Sequence, residues 1–151
     1  MSGIRVRAAR EADVPAIARL VADAFAPFVA RTGIVPAPLA TDWTTVVSAL
    51  GVLVALRDDA VAGVLVRWPH PDHVLVETLA VAPAAQGSGV GTVLLDTAER
   101  LAIETGVNAV RLYTNAAMTE NLAYYPRRGF VETGRGPHAG FDRVRFEKRL
   151  A

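Results

Sequence analysis

Residues 74–105 read VLVETLAVAPAAQGSGVGTVLLDTAERLAIET, and they contain the three elements from which the fold class follows. The first is a strand, predicted over residues 73–81 by its β-branched and aliphatic side chains. The last is a helix, predicted over residues 90–105 by apolar side chains three and four positions apart. The glycine-rich turn AAQGSGVG, residues 84–91, joins them. Because a helix N-terminus presents backbone N–H groups, this turn is a candidate anion-binding site.

The segments on either side extend this pattern into an α/β fold with a mixed sheet. Alternating or β-branched runs predict further strands at residues 4–9, 108–114, 129–135 and 141–150, and a hairpin at residues 51–68. Apolar positions at helical spacing predict three helices. One starts at Asp13, one starts at Thr41 or Asp42 and extends through Leu50, and one covers residues 118–125. Residues 28–42 contain one glycine and two prolines, so we expect an ordered loop or a broken helix there.

The composition excludes several classes of protein. The chain has 151 residues, of which 52% are hydrophobic, and this length predicts a single domain, residues 1–151. The absence of cysteine excludes disulfide scaffolds, thiolate metal sites and a cysteine nucleophile. Sixteen basic against fifteen acidic residues argue against a nucleic-acid or anionic-membrane partner. With no apolar leader and no apolar run of membrane-spanning length, we expect a cytoplasmic protein.

The glycine-rich turn fits two familiar phosphate-binding motifs poorly. A P-loop requires lysine where this chain has Thr92. A dinucleotide-binding fingerprint that starts at Gly87 also requires a glycine at position 92. The pattern that does fit is Q-x-x-G-x-G, formed by Gln86, Gly89 and Gly91. A turn that only lets helix and strand pack closely, without a ligand, stays open as the alternative.

A second pattern lies at residues 121–130, NLAYYPRRGF, where Tyr125 stands four residues before a Gly-Phe pair. Together with the Q-x-x-G-x-G turn, it closely resembles the GNAT superfamily of N-acetyltransferases over residues 74–130. The resemblance implies a mostly antiparallel central sheet with helices on both faces, in which the strands at residues 73–81 and 108–114 splay apart. It also implies direct transfer of an acetyl group from acetyl-coenzyme A to a primary amine, and it is compatible with a homodimer.

The same resemblance assigns acetyl-coenzyme A to backbone groups and implies no metal. The pyrophosphate is expected on the amides of the glycine-rich turn, where glycines allow a close approach. The pantetheine arm is expected to pair with the preceding strand, as an added strand does. The cofactor-binding residues so implied are Leu79, Ala80, Val81, Gln86, Gly87, Ser88, Gly89, Val90, Gly91, Thr92 and Asn121.

Two side chains are candidates for acid–base catalysis. Glu77 interrupts an apolar strand, so we expect a partly desolvated carboxylate that acts as the general base. The alternative for Glu77 is a surface ion pair with Arg111. Tyr125 holds the motif position that implies the general acid, and its alternative is a core aromatic residue. Pro126 follows directly and removes a helical hydrogen bond, so we expect the helix to bend or end there.

Two other functions fit the same features. One is a non-catalytic module that binds or senses acyl-coenzyme A on the same fold. The other is a different nucleotide-binding enzyme. No motif identifies the acceptor, although the Ala- and Pro-rich residues 28–39 suggest an apolar pocket wall. We interpret the alternating run at residues 141–150 as a strand with its charges toward solvent.

Overall fold

The computed structural model describes residues 3–49 and 51–150, within which lie seven strands and four α-helices. The strands are β1 (Ile4–Ala8), β2 (Val52–Arg57), β3 (Ala60–Pro69), β4 (Val74–Val81), β5 (Ala109–Asn115), β6 (Val131–His138) and β7 (Phe141–Arg149). The helices are α1 (Val14–Thr32), α2 (Trp43–Ser48), α3 (Val90–Glu104) and α4 (Thr119–Arg127). The mixed α/β fold class is confirmed, since β4 and β5 pair in parallel among antiparallel pairs. The predicted extension of the second helix to Leu50 lies outside the described residues.

The chain divides into two compact units. The first contains residues up to Arg67 together with Thr78–Ala98. The second contains Trp68–Glu77 together with residues from Glu99 onward. Strand β4 therefore contributes its start to the second unit and its end to the first.

In the first unit, β1, β2 and β3 form an antiparallel ladder. The turn between β2 and β3 consists of Asp58 and Asp59, whose φ angles of +53° and +62° are those that a type I′ hairpin turn requires. Strands β2 and β3 each contain five consecutive buried residues. Such unbroken burial is typical of strands that are covered on both faces.

Helix α1 is longer than the sequence predicts. It continues through Pro27 to Thr32 and ends at Gly33, which has a φ of +73°. The expectation of a loop or broken helix is therefore wrong for residues 28–32. Proline removes one helical hydrogen bond, and the burial of Phe28, which is only 4% exposed, offsets that loss. Among the described residues, no helix combines the length and the apolar character needed to cross a membrane.

Helix α2 begins as predicted. The carboxylate of Asp42 accepts a hydrogen bond from the Thr45 amide and caps the helix. Trp43, the first residue of α2, is buried and anchors it. The loop before it contains one short 3₁₀ turn, Ala37–Ala40.

In the second unit, β5 pairs with β7 and β7 pairs with β6, both antiparallel. The parallel ladder between β4 and β5 runs from the pair Val74–Val110 to the pair Val76–Leu112 and ends there, although both strands continue. The predicted splaying of these two strands is thus present.

Helix α4 contains Pro126 and ends at Arg127. The expected end at the proline therefore comes one residue later. Pro126 has no backbone N–H, so it cannot donate the helical hydrogen bond to the Leu122 carbonyl. Because the proline lies in the last turn of α4, the helix still continues for one residue before it ends.

Candidate functional site

The glycine-rich turn is exposed at Gln86, Gly87 and Gly89, and it leaves backbone donors without backbone acceptors. Gly87 and Gly89 have φ angles of +80° and +92°, the left-handed region that favours glycine. The first bond of α3 runs from the Val93 N–H to the Gly89 carbonyl at 3.0 Å. Within the described residues, the N–H groups of Gly87, Gly89, Val90 and Gly91 donate to no backbone carbonyl. The turn thus has the donors that a pyrophosphate site needs.

Two side chains hold the shape of this turn. Gln86 donates from Nε2 to the Val81 carbonyl at 3.3 Å. The Ser88 hydroxyl donates to the carbonyl of Ala85, which is buried. The first bond ties the turn to the end of β4 and the second stays inside the turn, so together they stabilise its conformation.

A glycine in β3 sets the position of the start of α3. A Cβ atom added to Gly63 would lie 2.6 Å from Cγ1 of Val90 and 2.9 Å from Cδ1 of Leu94. Both side chains are almost fully buried, and neither has free space to move into. The helix therefore packs directly on the strand backbone, and the amides of the turn are fixed by the core beneath them.

The end of β4 has a backbone edge without a strand partner from β5, because the β4–β5 ladder stops at Val76, although the Val81 carbonyl on it accepts the hydrogen bond from Gln86. The Ala82 N–H donates to the Ala62 carbonyl of β3 at 2.8 Å, and the Ala80 carbonyl also faces β3. Peptide groups of successive residues point to opposite edges of a strand. The peptide groups of Leu79 and Val81 therefore point to the edge away from β3.

Glu77 is exposed, which corrects the expectation of a partly desolvated carboxylate. The residues before and after it in β4 are buried, so Glu77 occupies the solvent side of the strand. The alternative, an ion pair with Arg111, is also absent. Arg111 donates to Glu147 at 2.8 Å and lies 3.7 Å from Asp72, and among the described residues Glu77 forms no ion pair. The Arg111 guanidinium holds the pKa of Glu147 below its usual range.

Tyr125 is a buried aromatic residue of the second unit. It is 6% exposed, and its ring centroid lies 5.7 Å from that of Phe130 and 5.8 Å from that of Phe146. Burial, together with the neighbouring Tyr124, raises the pKa of the Tyr125 hydroxyl. The hydroxyl therefore keeps its proton at neutral pH, and its ring is part of the core.

Tyr125 and Glu77 lie on opposite faces of the strands of the second unit. Phe146, which Tyr125 contacts, is the register partner of Leu112, and Leu112 is the partner of Val76. Register partners share a face, so these residues lie on the side of Tyr125. Glu77 follows Val76 directly and belongs to the other side. A direct proton relay between the two candidates is therefore excluded.

Asn121 is partly committed to the fold. Its Nδ2 atom donates to the hydroxyl of Thr114 at 3.0 Å and lies 3.4 Å from the sulfur of Met118. Thr114 and Met118 are buried. Any contact between Asn121 and a coenzyme would use the side-chain oxygen.

The sequence-based interpretation missed Arg143. We expected the charges of residues 141–150 to face solvent, but Arg143 is only 8% exposed, whereas Arg145 is exposed. The alternation does place both arginines on one face of β7. The burial of Arg143 comes from Tyr113, which lies on another strand and is brought close only by the β5–β7 register.

Comparison with known proteins agrees with this geometry. A model of the acetyltransferase (GNAT) family matches residues 17–130. A mycothiol acetyltransferase of Jonesia denitrificans is 37% identical over 73 residues, which make up 48% of this chain and 23% of that protein. The match therefore spans less than a quarter of the length of this curated relative.

Two solved structures resemble the whole chain. The PaiA N-acetyltransferase of Thermoplasma acidophilum, in complex with coenzyme A, has a TM-score of 0.81 at 17% identity, covering 98% of this chain and 99% of that one. A ribosomal-protein-alanine N-acetyltransferase of Brucella melitensis has a TM-score of 0.71 at 27% identity, covering 97% and 99%.

Proposed function

The chain belongs to the acetyltransferase (GNAT) family, and on that basis we propose that it transfers an acetyl group from acetyl-coenzyme A to a primary amine. The observation that carries this proposal is the exposed glycine-rich turn, whose unpaired amides lie at the start of α3. The amine acceptor is supported by the 27% identical Brucella neighbour, a ribosomal-protein-alanine N-acetyltransferase. Acetyl transfer is supported by the mycothiol acetyltransferase relative.

Backbone groups of the first unit are the proposed coenzyme site. The amides of Gly87, Gly89, Val90 and Gly91 would hold the pyrophosphate, with Gln86 and Ser88 keeping the turn in shape. The peptide groups of Leu79 and the N–H of Val81 would pair with the amide-bearing arm, since the Val81 carbonyl already accepts from Gln86. When bound, acetyl-coenzyme A supplies an activated acetyl thioester. The backbone donors require no cluster of basic residues, in keeping with a net charge of +1.

Glu77 is the proposed general base and Tyr125 the proposed general acid. In the overall reaction a C–S bond breaks, a C–N bond forms, and the acceptor ammonium loses two protons. Glu77, exposed beside the point where β4 and β5 part, would pass protons from the ammonium through a water molecule. Tyr125 would donate its hydroxyl proton to the departing sulfur, and one of the two protons lost by the ammonium would restore that hydroxyl. The other proton is released to solvent.

The test is a panel of amines assayed with acetyl-coenzyme A, followed by Glu77→Gln and Tyr125→Phe on the substrate found. We expect Glu77→Gln to lower kcat about 100-fold and Tyr125→Phe about tenfold, with the affinity for coenzyme A unchanged in both. Glu104→Gln and Tyr124→Phe are the matched controls and should keep wild-type kcat. Failure of coenzyme A to bind would overturn the assignment of the turn.

A non-catalytic module that binds acyl-coenzyme A is the second candidate. The observation that favours it is the packing of Tyr125 against Phe130 and Phe146, which gives the ring a structural role without chemistry. This candidate predicts coenzyme A binding with no turnover of any amine. The same panel, combined with calorimetric titration of coenzyme A, separates the two functions.

A further inference from the structure

The second unit contains a buried arginine, Arg143, whose guanidinium is framed by aromatic rings. The guanidinium carbon of Arg143 lies 4.1 Å from the ring centroid of Tyr113 and 5.2 Å from that of Phe141. The ring of His138 meets Tyr113 edge-on, with 5.4 Å between centroids. We call these four residues the Arg143 cluster. Strands β5, β6 and β7 all contribute to it.

Arg143 has no carboxylate partner in residues 3–49 and 51–150. Two other arginines of the unit do have one, because Arg111 bonds Glu147 and Arg135 bonds Glu132, each at 2.8 Å. Both of those arginine side chains are more exposed, at 43% and 57%. A buried charge is costly unless it is paired, and stacking on aromatic rings recovers only part of that cost. The least exposed of these three cations is therefore the one without a counter-ion.

The strand register places the Arg143 cluster on the same face as Glu77. Glu77 and Tyr113 are the residues that directly follow the last β4–β5 pair, and they point to the same side. Arg143 is the partner of Asn115, two residues beyond Tyr113, and shares that side. With ideal strand spacings of about 4.8 Å and a rise of about 3.3 Å per residue, the Cα atoms of Glu77 and Arg143 would be roughly 12 Å apart. The parting of β4 from β5 beyond Val76 increases that separation.

We propose that Arg143 binds a carboxylate of the acceptor, and that the acceptors are amines that carry a carboxylate, such as amino acids. This proposal rests on the proposed acetyl transfer and specifies its substrate class. A guanidinium offers two parallel N–H donors that match the two oxygens of a carboxylate. Stacking on Tyr113 holds the guanidinium plane, and the bound carboxylate supplies the missing counter-ion. The amine of the same molecule is then directed toward Glu77.

Turnover of matched acceptor pairs tests the substrate class. Glycine is compared with glycinamide, L-alanine with L-alaninamide, and β-alanine with O-phosphoethanolamine, all with acetyl-coenzyme A. We expect kcat/KM for the carboxylate member to exceed that of its amide about 100-fold. Equal values within each pair, or a preference for the phosphate, would overturn the proposal while leaving acetyl transfer intact.

Variants of Arg143 locate the effect. Arg143→Gln should raise KM for glycine about 100-fold, and Arg143→Lys, which keeps the charge but loses the paired donors, about tenfold. The KM for acetyl-coenzyme A should not change. Arg145→Gln is the matched control, since Arg145 lies two residues along the same strand and face but is exposed. If Arg143→Gln does not fold, Arg143→Lys is used in its place. An unchanged KM for glycine in Arg143→Lys would contradict the proposal.

A binding measurement keeps the proposal testable without turnover. In the NMR spectrum of the arginine Nε–H groups, titration with glycine and with N-acetylglycine should shift the Arg143 signal saturably, whereas glycinamide should not. An Arg143 signal that none of the three moves would overturn the proposal. If the signal shifts but no amine is acetylated, the carboxylate site stands and the proposed acetyl transfer fails.

Discussion

The glycine-rich turn and the Arg143 cluster are two candidate anion-binding features that are constructed in opposite ways. The turn contains N–H groups of nearly consecutive residues, Gly87, Gly89, Val90 and Gly91, that donate to no backbone carbonyl within the described residues. The Arg143 cluster presents one buried side chain whose surroundings come from three strands. The turn forms wherever glycines adopt positive φ angles just before a helix begins. The Arg143 cluster forms only if β5 and β7 pair in the correct register. A local feature can be recognised from neighbouring residues, and an assembled one cannot.

A substitution in the core beneath the turn is expected to have the largest effect, and it tests whether the turn is a purely local feature. Gly63→Val places a side chain within 3 Å of Val90 and Leu94, so we expect the free energy of unfolding to fall by about 3 kcal/mol. Coenzyme A affinity should fall as well, because α3 can no longer sit on β3. Urea unfolding and calorimetric titration measure the two effects.

Gly3→Val is the matched control for Gly63→Val. A Cβ atom at Gly3 meets nothing within 4 Å. We expect neither stability nor binding to change in this variant. If Gly63→Val also leaves coenzyme A affinity intact, the turn is a purely local feature and the packing of α3 does not position it.

The turn itself is tested with a carboxylate. Gly89→Asp should weaken coenzyme A binding about 100-fold, because it brings a negative charge and a Cβ atom to a phosphate site at a φ of +92°. Gly33→Asp introduces the same side chain at a φ of +73°, also with open space around the Cβ atom, and should leave affinity unchanged. Equal affinity of the two variants for coenzyme A would remove the turn from the binding site.

Much of the fold and part of the candidate site could be predicted from the sequence. The strand–turn–helix at residues 74–105 could be, because periodicity and glycine placement are properties of neighbouring residues. The exposure of Glu77 could not, since it depends on which face of β4 the rest of the protein covers. The burial of Arg143 depends on Tyr113, and α1 continues past Pro27 because Phe28 is buried. In each case a tertiary contact overrides the local pattern.

Two bidentate ion pairs of similar bond lengths differ in burial, and the more buried carboxylate, Asp13, also accepts from the Arg10 backbone N–H. Arg7 contacts Asp13 at 2.7 and 3.0 Å, and Arg135 contacts Glu132 at 2.8 and 3.0 Å. The Asp13 side chain is 11% exposed and that of Glu132 is 41% exposed. We expect Asp13→Asn to lower the free energy of unfolding by about 2 kcal/mol and Glu132→Gln to leave it unchanged. Thermal unfolding at neutral pH gives both values.

The pH dependence of the Asp13 pair has a defined sign. The hydrogen bonds from Arg7 hold the pKa of Asp13 below its usual range. Its contribution is therefore complete above the unfolded-state pKa of about 3.9 and is lost as pH falls through the lower folded-state pKa. The stability difference between wild type and Asp13→Asn should shrink in that acidic window. A difference that is constant from pH 7 down to pH 2 would contradict this account.

The β2–β3 turn offers a way to make this protein more tolerant of amino-acid substitutions. Asp58 and Asp59 both adopt positive φ, which asparagine and glycine adopt at lower cost. Asp59 also pairs with Arg5, but both side chains are largely exposed, so that pair adds little stability. Asn-Gly at these two positions should raise the free energy of unfolding by about 1 kcal/mol. The more stable Asn-Gly variant would tolerate destabilising substitutions around Arg143. This variant is therefore a practical starting point for evolving new acceptor specificity.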